Sequence, residues 1–86
     1  MKDLAKLRTE ITQLDTQLLT LLAKRLQLVS KIGEYKKMHN LPIRDEKREQ
    51  EILQDLYEKG KSLHISQELI KFIWKRIFQE AYKLEN

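Results

Sequence analysis

The sequence predicts an all-α fold of three helices, long, short and medium in chain order, forming one domain over residues 1–86. Two observations carry this reading. The chain holds two glycines and one proline, so little in it interrupts a helix. Its apolar residues recur at spacings of three and four, the helical period, along most of its length. The balance of 41% hydrophobic and 35% charged residues is too apolar for a disordered chain and too charged for a membrane protein.

The first helix is expected from about Asp3 to His39. Stepping alternately by three and four from Leu4 gives Leu7, Ile11, Leu14, Leu18, Leu21, Arg25, Leu28, Ile32 and Tyr35, a coiled-coil-like seam broken only at Arg25. A helix of some 36 residues is about 54 Å long. A compact globule of this chain length is only about 30 Å across. The helix therefore overshoots its own domain, and the economical way to cover its seam is a second copy of the chain, a homodimer. Asn40, Leu41 and Pro42 end the helix. Asp45 caps a second helix, which carries Ile52, Leu53 and Leu56 on one stripe and runs to about Lys59, with Gly60 as its C-terminal cap. Ser66 caps a third, whose inner face is expected to hold Leu69, Ile70, Ile73, Trp74, Ile77, Phe78 and Ala81.

Several function classes drop out early. Without cysteine there is no disulfide framework, thiol nucleophile or zinc-thiolate site. His39 and His64 are too few and too far apart for a histidine metal site, so no metal and no cofactor are expected. The net charge of +4 comes from lysines scattered over all three helices, which argues against nucleic acid as a partner. The opening residues lack the apolar core of a signal peptide and no later run is long enough to span a bilayer, so a cytoplasmic location and no membrane association are expected.

Some residues fit poorly with packing alone. A guanidinium in a core seam is costly to desolvate unless an anion meets it or its stem reaches water, and Arg25 occupies such a position. Lys36 lies eleven residues on, about 16 Å along the axis and nearly on the same side. Arg8 shares the stripe of Lys36 but sits about 42 Å from it, so the two can serve one small ligand only if Arg8 comes from a partner chain. On the second helix Asp45, Arg48, Glu49, Ile52 and Leu56 share a face that begins polar and turns apolar. On the third, Ala81 and Glu85 continue the apolar stripe.

Taken together, Arg8, Asp15, the run from Leu18 to Arg25, Lys36 and Pro42-Ile43-Arg44-Asp45-x-x-Arg48-Glu49 resemble the all-helical, AroQ-class chorismate mutases over essentially the whole chain. The resemblance implies an intertwined homodimer that rearranges chorismate to prephenate on the route to phenylalanine and tyrosine. It implies that Arg8, donated in trans, and Arg25, from within the subunit, bind substrate carboxylates. It assigns Lys36 to the enolpyruvyl carboxylate and ether oxygen. Asp45, through its backbone, and Glu49 would meet the ring hydroxyl, with Arg48 supporting the carboxylate region. Arg25, Lys36 and Glu85 are the expected catalytic groups. Two positions depart from the family pattern. Ala81 stands where many members have serine, and Glu85 where many have a glutamine that donates to the ether oxygen. Only a protonated Glu85 can donate there, so activity that improves at mildly acidic pH is expected. The alternatives are an isochorismate pyruvate-lyase on the same scaffold and a non-catalytic helical dimer.

Overall fold

A computed structural model describes residues 3–85. It contains α1 (Leu4–Met38), α2 (Glu46–Ser62) and α3 (Gln67–Glu85), and no strand among the described residues. None of the helices is long and apolar enough to cross a membrane.

The capping residues set these limits. Asp3 accepts from the Lys6 backbone N–H at 2.9 Å, Asp45 from that of Arg48 at 3.0 Å, and the Ser66 hydroxyl from that of Leu69 at 3.2 Å. Each satisfies a donor that the first turn leaves without a helical partner. At its far end α1 closes in a Schellman turn. Asn40 adopts φ 55°, which folds the Leu41 N–H back onto the Lys36 carbonyl at 2.8 Å. Pro42 follows this stop and does not itself make it.

The end of α2 differs from the sequence expectation. Gly60 does not cap the helix but lies inside it, buried, and the helix continues to Ser62. The left-handed residue is His64, at φ 58°, with the Ile65 N–H returning to the Gly60 carbonyl at 2.9 Å. Gly60 instead serves a close approach, since a Cβ there would run into the Ile70 side chain.

Helix α1 packs against α3 and α3 against α2, whereas α1 and α2 do not pack on each other. A cleft is left between them, with α3 as its back wall. Val29, Leu53, Ile70, Phe78 and Ala81 are the buried apolar residues among those described. The inner face expected for α3 is only partly realised. Trp74 and Ile77 are half-buried, while Leu69 and Ile73 are exposed, as is Phe72 beside them. The seam of α1 is exposed along almost its entire length, from Leu4, Leu7, Ile11, Leu14, Leu18 and Leu21 to Leu28, Ile32 and Tyr35. With 35 residues α1 is about 52 Å long. The chain is correspondingly elongated, 57 × 24 × 15 Å. So large an apolar stripe open to water is far more than a monomeric protein ordinarily displays.

Candidate active site

The cleft has a volume of about 440 Å³, within the usual range for a small-molecule site. Seven of the eight site residues expected from the sequence line it: Arg25, Lys36, Asp45, Arg48, Glu49, Ala81 and Glu85. Its apolar surface comes from Leu28, Val29 and Ile32 of α1, Ile43 of the connecting loop, Ile52 of α2 and Phe78 of α3. Arg8 is exposed near the start of α1 and lies outside the cleft.

Arg25 enters from the middle of α1. Its side chain is half-buried, and its guanidinium lies 5.9 Å from the centre of the Phe78 ring, within cation–π range. No carboxylate among the described residues pairs with it. Burial holds its pKa below the ordinary arginine value, because the charged form loses water. Arginine stays protonated even so, and the cation is held in the cleft at a cost in desolvation. Phe78 is thus both a core residue and the platform under this cation.

Lys36 is differently placed. Its Nζ donates to the Ile43 carbonyl at 2.7 Å and to Glu85 Oε2 at 3.0 Å. Glu85 is not a solvated end residue: it is buried, with 6% of its surface exposed, although α3 stops there. Gly33 makes this possible. A Cβ built at Gly33 lies 3.0 Å from Glu85 Cα and 3.2 Å from its Cγ, so α1 meets the last turn of α3 at closest approach there. Gly33→Ala gains about 1 kcal/mol of helix propensity and loses a comparable amount in moving α3. Its expected result is a nearly unchanged thermal midpoint with several-fold lower activity, read from melting curves and initial rates on the same samples.

The second helix supplies Asp45, Arg48 and Glu49 from its first turn. Asp45 Oδ1 accepts the cap hydrogen bond from the Arg48 N–H, and all three residues line the cleft. Arg48 is exposed at the rim and pairs with Glu51 at 3.6 Å. Glu49 accepts a hydrogen bond from the Tyr82 hydroxyl and lies 3.9 Å from Arg44 Nε. Ile43, Arg44 and Tyr82 are contributors the sequence reading missed. Tyr82 had a legible signal, being four residues beyond Phe78 and three before Glu85. That Ile43 turns its carbonyl to Lys36 follows from loop geometry, which residue spacing does not encode. Gln79 accepts from Arg76 Nη1 at 2.9 Å on the exposed side of α3, away from the cleft.

The all-helical domain thus holds a cleft of small-molecule size, walled by cations and carboxylates over an apolar floor. The chain belongs to the chorismate mutase type II family, whose model matches residues 7–86. It is 42% identical over 86 residues to the T-protein of Haemophilus influenzae, covering 100% of this chain and 23% of that protein. It is 38% identical over 84 residues to the T-protein of Enterobacter agglomerans, covering 98% of this chain and 22% of the relative. A bifunctional chorismate mutase/prephenate dehydratase of Aquifex aeolicus is 35% identical over 88 residues, 99% of this chain and 24% of the relative. The chain thus spans less than a quarter of the length of each of these relatives.

Proposed function

We propose that this chain catalyses the rearrangement of chorismate to prephenate in phenylalanine and tyrosine biosynthesis, acting in the cytoplasm as a homodimer. The observation that carries this reading is Arg25: a half-buried guanidinium lining the cleft, paired with no carboxylate among the described residues. A dianionic substrate answers it.

The reaction is a concerted shift within one molecule, in which a C–O bond breaks as a C–C bond forms. It calls for no covalent intermediate. The protein has two tasks, to hold a flexible dianion in its folded reactive conformer and to stabilise charge growing on the ether oxygen. Arg25 takes a substrate carboxylate with its planar fork. Lys36 presents an ammonium to the enolpyruvyl carboxylate and the ether oxygen. The first turn of α2 meets the ring hydroxyl through the backbone of Asp45 and the carboxylate of Glu49, and Arg48 supports the carboxylates at the rim.

Charge balance favours a second chain. Among the residues that line the cleft, three cations, Arg25, Lys36 and Arg48, face three carboxylates, Asp45, Glu49 and Glu85. Arg8 of the partner subunit tips this balance toward a dianionic substrate. The exposed seam of α1 supports the same dimer, since a second long helix would cover it.

Incubation with chorismate, following loss of its absorbance and identifying the product, tests the activity. Prephenate is expected. Release of pyruvate from isochorismate, with chorismate left unchanged, would assign the chain to the lyase, and turnover of neither substrate would leave a non-catalytic dimer. A further expectation concerns Glu85. A carboxylate there opposes the developing oxyanion whereas an amide donates to it, so Glu85→Gln should be more active than wild type in initial-rate measurements. Equal activity of the two proteins would clear Glu85 of this role.

A further inference from the structure

We infer that Tyr82 is a positioning residue of this site, holding Glu49 so that one carboxylate oxygen is left to receive the substrate's ring hydroxyl. The inference rests on the proposed mutase reading and extends it to a residue on a different helix. Tyr82 belongs to the last turns of α3 and Glu49 to the first turn of α2, and both line the cleft. The Tyr82 hydroxyl donates to Glu49 Oε2. Arg44, from the loop before α2, lies over the Tyr82 ring at 5.5 Å and approaches the same Oε2 at 3.9 Å. Both contacts fall on one oxygen, and Glu49 Oε1 takes no hydrogen bond among the described residues.

The physical consequence is directional. A glutamate side chain has three torsions and loses appreciable rotamer entropy when it is fixed. Left unbraced, Glu49 is drawn outward to the exposed Arg44. The phenol fixes the carboxylate before substrate arrives, and because a carboxylate only accepts, the remaining oxygen suits a hydroxyl donor. The ring of Tyr82 keeps its place under Arg44 whether or not it carries the hydroxyl, which separates positioning from packing.

Tyr82→Phe is the test, measured with chorismate and with the analogue that lacks the ring hydroxyl. With chorismate, kcat/KM is expected to fall about tenfold, mainly through KM, the scale of one charge-assisted hydrogen bond made poorly. With the analogue the two proteins should agree within about twofold, since the contact that Tyr82 organises is absent. In a Glu49→Ala background, Tyr82→Phe should have no further effect. Equal losses on both substrates, no loss with chorismate, or an undiminished effect without Glu49 would each overturn the inference. If wild-type protein leaves both substrates untouched, the mutase reading itself fails and the inference goes with it, a result distinct from the other three.

Discussion

Replacing Arg25 with methionine is expected to remove almost all activity while leaving the fold as stable as before, or slightly more so. The two effects have separate causes. In the proposed reaction Arg25 gives two charge-assisted hydrogen bonds to a substrate carboxylate, each worth about 1.5–3 kcal/mol. At about 1.4 kcal/mol per tenfold, their loss lowers kcat/KM by about 10²–10⁴. In the fold, the same cation is a burden. Its pKa is lowered by burial, so the native state disfavours the charged form. The group is charged in the folded and unfolded states alike at any ordinary pH, so this cost does not vary with pH across the working range. Methionine keeps most of the stem's volume beside Phe78 and dispenses with the desolvated charge. A chevron or urea titration beside steady-state kinetics reads both quantities. Large destabilisation together with retained activity would mean that Arg25 is a structural cation after all.

Lys36→Met is expected to damage both properties, and the contrast with Arg25 is the informative part. Lys36 bridges the Ile43 carbonyl and Glu85 Oε2, at 2.7 and 3.0 Å. Removing it strands a carboxylate that is only 6% exposed. Breaking a buried pair from one side costs about 3–5 kcal/mol, and somewhat less here because the Lys36 ammonium retains some access to water. The same ammonium faces the ether oxygen in the proposed reaction, and removing one such donor lowers kcat by about 10²–10³. Adding Glu85→Gln should restore much of the stability, since a neutral amide does not need a cation, yet restore little of the rate. Recovery of both by the double substitution would show that Lys36 acts only by neutralising Glu85.

The fold was legible in the sequence because helices are written in period and punctuation. The seam from Leu4 to Tyr35, the caps at Asp45 and Ser66, and the stop near Asn40 all follow from local rules. Gly60 misled because glycine has two uses, a left-handed cap and a close approach, and only the position of Ile70 tells which applies. His64 was passed over for the complementary reason, since few residues other than glycine and asparagine take the left-handed cap. Leu69 and Ile73 fit the inner stripe by spacing but lie exposed in one chain, because periodicity says which residues share a face and not what covers it.

The site was legible to a different depth. Arg25 stood out because its charge contradicts its position, and Lys36, Arg48 and Glu49 by their spacing. Glu85 was read as part of the stripe, but its burial depends on Gly33 admitting the end of α3, a contact between residues 52 positions apart in the chain. The link between Tyr82 and Glu49 is of the same kind: each is visible on its own helix, and only the packing of α3 on α2 brings them together.

Heterodimers that pair an Arg8→Ala chain with an Arg25→Ala chain test most directly whether two chains build each catalytic centre. Each variant alone should be nearly inactive. In a verified mixed dimer one centre regains both arginines and the other loses both, so about half of the wild-type activity per dimer is predicted. Mixed dimers no more active than their parents would contradict a centre shared between subunits.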